Sequence, residues 1–177
     1  MSWPIAANLS MLFTEAELPQ RVALAARAGF AGVEIQFPYP LPAAGLARLL
    51  QEQRLPLVLI NLPAGDLMQG GPGLAAVPGR EADFARALEQ GLRYAEVARP
   101  QQVNLLPGRL VAGVEPERAL ALLSRHLEQA GSAFAELGIG VVCEAINSHD
   151  MPGFLLDGSR PLLALLQRTE HGNVRAQ

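Results

Sequence analysis

The sequence predicts an α/β fold: a partial (β/α)8 TIM barrel of about five βα units plus the start of strand six, as a single incomplete barrel domain over residues 1–177. Three observations predict it. Short apolar runs of strand length alternate with longer Ala/Leu/Arg/Glu stretches of helical period, and that alternation implies a parallel sheet with helical crossovers. Polar residues stand at or near the C-terminal ends of several runs, namely Asn8 and Ser10, Gln36, Asn61 and Asp66, Asn104, Glu144 and Asn147; barrel enzymes build their sites at that end of many strands. No glycine-rich GxGxxG or Walker loop follows the first run, so the main mark of a doubly wound nucleotide-binding sheet is missing.

The elements follow in order. The first strand is expected near Ile5–Leu9, followed by a helix over Glu15–Ala28 that Gly29 stops. The second strand is Gly32–Phe37 and its helix Ala43–Gln53. The third strand is Leu57–Leu62; a long loop then runs to Pro78 and a helix spans Arg80–Ala98. The fourth strand is Gln102–Leu106 and its helix Pro116–Leu137, with Gly138 as the stop. The fifth strand is Ile139–Ile146, a loop leads to a helix over Arg160–Thr169, and Asn173–Ala176 begins a sixth strand.

Composition narrows the function classes. Half of the 177 residues are hydrophobic and 18% are charged, with a mean hydropathy of +0.19, which suits a domain with a sizeable core. The net charge of −3 offers no basic excess to collect phosphate backbones, so nucleic acid is not an expected partner. All basic residues are arginine; without lysine, a Schiff-base mechanism is excluded. The single cysteine, Cys143, cannot form an internal disulfide, and no apolar run approaches the roughly 18 residues of a membrane span. A cytoplasmic protein with no membrane partner is the expectation.

Glu144 is the sharpest chemical signal. It interrupts the run Val141-Val142-Cys143-Glu144-Ala145-Ile146, where an unpaired carboxylate would cost several kcal/mol. It therefore needs an arginine, a proton or a metal, and at a barrel mouth it could take a proton from a carbon next to a carbonyl or ligate a divalent cation; a structural ion pair with an arginine is the plainer reading. Cys143, one residue away, points to the opposite side and reads as packing. His149, in the turn Asn147-Ser148-His149-Asp150-Met151-Pro152-Gly153, is an acid/base, a substrate contact or an exposed loop residue. His126, within a helix, and His171, just after one, read as surface residues. The loop from Asn61 through Gly70-Gly71-Pro72-Gly73 exceeds the usual length and is a lid or a mobile connector. Arg80 and Arg109 are carboxylate anchors or surface residues, and Glu34 is an inward-facing polar layer or a site residue.

Several segments together resemble the hydroxypyruvate isomerase family of the xylose isomerase-like barrels. They are Ala6-Ala7-Asn8-Leu9-Ser10-Met11-Leu12-Phe13, Phe37-Pro38-Tyr39, Asn61-Leu62-Pro63-Ala64-Gly65-Asp66, Pro78-Gly79-Arg80-Glu81, and Glu144-Ala145-Ile146-Asn147 with Asp150-Met151-Pro152-Gly153, in the family's order. The resemblance implies interconversion of hydroxypyruvate and tartronate semialdehyde, or of a related 2-oxo-tetronate, through an enediol. It implies a small hydroxy-keto acid substrate, Glu144 as catalytic base and metal ligand, substrate contacts from Asn8, Asn61, Arg80 and His149, and a divalent metal, Mg or Mn. Two positions depart from the family pattern: Ala145 stands where proline is common, and His149 where arginine is common.

Five units and part of a sixth fall short of the about 250 residues of a closed barrel. The resemblance places the second catalytic glutamate and most metal ligands beyond residue 177, so the expectation is a C-terminally truncated, impaired enzyme. The alternatives are a non-catalytic half-barrel forming a homo-oligomer through open barrel edges, and a related ketose 3-epimerase.

Overall fold

The computed structural model describes residues 3–169 and 171–177. Its strands are β1 (Ala6–Asn8), β2 (Gly32–Ile35), β3 (Leu57–Asn61), β4 (Gln102–Asn104), β5 (Gly140–Cys143) and β6 (Val174–Ala176). Between them lie α1 (Leu18–Arg27), α2 (Ala43–Gln53), α3 (Glu81–Ala98), α4 (Pro116–Ala135) and α5 (Ser159–Arg168), with a 3-10 turn at Leu67–Gln69. The sheet order is β1-β2-β3-β4-β5-β6, and β1 with β2, β2 with β3 and β5 with β6 run parallel. Consecutive order is that of a (β/α) barrel; a doubly wound sheet reverses direction at a switch point.

Contacts divide the chain into two compact units. The first runs to Asn61 and takes in Arg93–Val103; the second comprises Leu62–Leu92 and Asn104–Gln177. In the first, α1 begins with proline in its opening turn and ends at Arg27, and Gly29 follows at φ +83°, a left-handed position that glycine adopts without strain. Ala7, Leu9, Val33, Ile35, Leu59 and Ile60 form the buried layer of this unit with Val22 and Leu46 from its helices. The Tyr94 hydroxyl donates to the Pro38 and Leu41 carbonyls at 3.2 and 3.0 Å. The Tyr39 hydroxyl donates to the Asn61 carbonyl at 2.6 Å, which ties the loop after β2 to the end of β3.

In the second unit, α4 buries Ala119, Leu122, Leu123, His126, Leu127, Ala130 and Phe134, a stripe of helical period that faces the core. His126 is thus a core residue, not the surface residue expected. Its ring stacks on Phe84 at 3.8 Å and its Nδ1–H donates to the Ala75 carbonyl at 2.8 Å, so the imidazole pins the segment leading into α3. His171 is half-buried rather than superficial: its Nδ1 accepts the Asn173 amide, and its Nε2 lies 3.1 Å from the Ser132 hydroxyl. An Nδ1 that accepts leaves the proton on Nε2, so this ring cannot take a proton from Ser132.

Burial lowers the His126 pKa below the ordinary histidine value, the Ala75 bond and Glu81 opposing it and Arg125 adding to it. The folded state therefore binds the proton less readily than the unfolded chain, and stability rises with pH in that window. Chemical unfolding at a series of pH values should show stability intact above about pH 6.5 and declining as pH falls through the lowered folded value. His126→Phe, which keeps the stack on Phe84, should lose that component of the slope.

Candidate active site at the ends of strands four and five

Glu144 is the first residue beyond β5, and Asn104 is the last of β4. The Leu105 amide donates to the Val142 carbonyl at 2.9 Å, a register that brings the two strand ends side by side. Asn104, fully buried, then donates from Nδ2 to Glu144 Oε1 at 2.6 Å. The arginine ion pair that would have made Glu144 purely structural does not form among the described residues; the amide of Asn104 takes that place. The Glu144 carboxylate is half-buried, and burial raises its pKa while the Asn104 bond opposes the rise. A carboxylate raised in this way is a stronger base than one in open water. Cys143 is fully buried on the other side of the strand; burial, reinforced by the charge of Glu144, pushes its thiol pKa far up, so it packs and does not react.

The other expected site residues fall into separate groups. In the first unit, Asn8 Nδ2 donates to Glu34 Oε1 at 2.7 Å, the two residues being partners across β1 and β2. Asn8 Oδ1 accepts the Ser10 amide, and the Ser10 hydroxyl accepts the Gln36 amide. Asn61 is 4% exposed, and its amide donates to the Gln36 carbonyl. In the second unit, Arg80 donates from Nε to Asp83 and from Nη1 to Asp66 and the Gly73 carbonyl, each at 3.0 Å. Asp66 also accepts the Gly73 amide at 3.1 Å, so the Arg80 guanidinium is engaged in folding the loop after β3. Asn147 shapes the turn after β5: its Oδ1 accepts the His149 and Asp150 amides and its Nδ2 donates to Asp150. His149 stands exposed on that turn.

Sequence reasoning misses the roles of Asn104 and Arg109. Asn104 carries a signal, its place at a strand end, but its partner lies 40 residues away. Arg109, expected to be a carboxylate anchor or a surface residue, is half-buried and directs its side chain to main-chain carbonyls of two loops.

A divalent metal finds few ligands in this set. Among the described residues no three His, Cys, Asp or Glu side chains group to hold a cation, and Glu144 with Asn104 supplies one carboxylate and one amide. One carboxylate rarely holds a divalent metal tightly, so the residues present do not by themselves constitute a metal centre. No helix of the described residues is long and apolar enough to cross a membrane.

Parallel strands in consecutive order, βα alternation and a half-buried carboxylate at a strand's C-terminal end define a barrel-type enzyme scaffold. The family model for the xylose isomerase-like TIM barrel matches residues 22–177, and the chain belongs to that family. Within it, the chain is 38% identical over 171 residues to the hydroxypyruvate isomerase of Escherichia coli (strain K12), covering 97% of this chain and 66% of the relative. It is 37% identical to the 2-oxo-tetronate isomerase of Cupriavidus necator, with the same two coverages. Among solved structures, one described as an AP endonuclease, family 2, from Brucella melitensis superposes with a TM-score of 0.93 at 34% identity, covering 99% of this chain and 68% of that one. The chain thus spans just under two thirds of the length of these two curated relatives.

Proposed function

We propose that the chain carries the proton-transfer half of an aldose–ketose isomerase acting on a small 2-oxo acid, hydroxypyruvate or a 2-oxo-tetronate. The observation that carries this reading is the Glu144 carboxylate at the end of β5, oriented by Asn104 at 2.6 Å, in a chain 37–38% identical to relatives named for those two isomerisations. In the proposed step Glu144 removes a proton from C3 of hydroxypyruvate, the C3–H electron pair forms the C2–C3 double bond, and the C2 carbonyl becomes an enediolate oxygen. Glu144 returns the proton to C2 while C3 collapses to the aldehyde, and the C3 hydroxyl proton passes to the C2 oxygen. Tartronate semialdehyde results, with no atom or electron gained or lost. The Asn104 bond fixes one carboxylate oxygen, which lowers the entropy cost of aligning the other with the C–H bond.

His149, on the turn that follows Glu144 in the same unit, completes the proposal as a substrate contact. Arg80, also expected as one, is bound to Asp66 and Asp83; its proposed part is to hold the loop after β3 in shape around the substrate. The name of the Brucella structure belongs to that protein; the net charge of −3 here gives no support to a phosphate-backbone substrate. Psicose and allulose 3-epimerases share the fold at 12–17% identity, which speaks to architecture alone.

The test is a substrate comparison. The purified protein is offered hydroxypyruvate, a 2-oxo-tetronate and a ketohexose, each with and without Mg²⁺ or Mn²⁺, and the products are read by NMR. The expected result is isomerisation of one of the two 2-oxo acids and no change in the ketohexose. Epimerisation of the ketohexose, or no turnover of either acid under any condition, would overturn the reading.

A further inference from the structure

Three loops of the second unit meet at Arg109. The loop after β3 presents the carbonyls of Leu67, Gly71 and Pro72; the loop after β5 presents those of Pro152 and Gly153. Arg109 lies between them in the loop after β4. Its main-chain amide donates to the Pro72 carbonyl at 2.9 Å, and its Nη1 donates to the Leu67 and Gly71 carbonyls at 2.9 and 2.6 Å. Its Nε donates to the Pro152 carbonyl at 3.3 Å. On the same segment the Leu110 amide donates to the Gly153 carbonyl, the Leu155 amide to the Gly108 carbonyl, and Arg109 pairs with Phe154 in a short antiparallel bridge.

A planar guanidinium presents several donors in a fixed fork, which one ammonium cannot reproduce. Here the fork is aimed at the loop carbonyls of Gly71 and Pro152 and at that of Leu67, which also accepts the Gly70 amide, so the side chain adds bonds between loops that are otherwise joined by a few main-chain contacts. In the same loops Leu67 and Leu156 are fully buried and Phe154 nearly so.

We propose that Arg109 is a positioning residue that joins the loops after β3, β4 and β5 into one body, so that the long loop after β3 cannot open as an independent lid. It opens only with the segment that follows Glu144, or not at all. The coupling of the loops does not depend on the identity of the substrate.

Amide hydrogen exchange on the full chain tests it. In the unaltered protein, segments 67–73, 108–110 and 152–155 are expected to open together with similar protection. Arg109→Gln should reduce protection in all three by on the order of tenfold or more, since each hydrogen bond to a charged group counts for at least that factor. The core of α4, residues 122–134, should stay within about threefold of its original protection. Should that variant fail to fold, Arg109→Lys, which keeps the charge without the fork, is expected to show the same pattern to a smaller degree. Loss confined to 108–110, with 67–73 and 152–155 unchanged, would overturn the proposal. So would a uniform loss that includes α4, which would make Arg109 a contributor to global stability only, and so would no change at all.

Discussion

Glu144→Gln is expected to lower turnover of the 2-oxo acid by about a hundredfold to ten-thousandfold, the usual range for removing a positioned general base. The amide is nearly the same shape as the carboxylate and its oxygen can still accept the bond from Asn104, so the geometry of the strand end is kept. What changes is basicity alone. Stability should not fall, because the variant removes the cost of holding a charge at a half-buried position. Steady-state kinetics with thermal unfolding on the same preparations check both halves. A loss of activity accompanied by an equal loss of folded protein would point to structure rather than chemistry.

Gly108→Ala is expected to cost about 2–5 kcal/mol. Gly108 has φ +87°, and a methyl group there would lie 2.3 Å from the Pro72 carbonyl oxygen. That oxygen is backbone and already accepts the Arg109 amide, so it cannot step aside without dislodging the loop after β3. Gly113 supplies the control: at φ +80°, a methyl group added there would meet nothing within 4 Å. Its alanine variant should show only the conformational penalty of about 1–2 kcal/mol. For a chain of this size the larger cost corresponds to a melting temperature lower by roughly 5–15 °C. Equal losses at the two glycines would show that close approach of the loops contributes nothing.

Much of this architecture is legible in the sequence because each element has its own hydrophobic period. α2 spans Ala43–Gln53 as expected, since apolar residues at helical spacing leave little else for that segment to be. Strand ends are shorter than apolarity predicts. β4 stops at Asn104 and β5 at Cys143, whereas the apolar runs continue through Leu105 and Leu106 and to Ile146. Apolarity reports burial, and Leu105 and Leu106 are buried in the core beyond the last residue of β4. His126 differs from expectation although the information is present in the chain. It sits on the same helical stripe as Leu122, Leu123 and Ala130, and its position, more than its residue type, determines its burial.

The candidate site divides in the same way. Glu144 is visible because a carboxylate inside an apolar strand has few comfortable explanations. Its bond to Asn104 is not, because pairing between strands depends on register, which a single sequence does not display. Arg109 is least legible of all. Its acceptors are main-chain carbonyls, present at every residue and therefore without a sequence signature, so an arginine holding loops together looks the same as one waiting for a substrate.

Solvent exchange shows whether Glu144 moves a proton on and off carbon. Hydroxypyruvate is incubated with the protein in deuterium oxide and the C3 proton signal is followed by NMR. Deuterium is expected to enter C3 faster than in buffer with the unaltered chain, and at the buffer rate with Glu144→Gln. Equal incorporation by the two proteins would contradict proton transfer by Glu144.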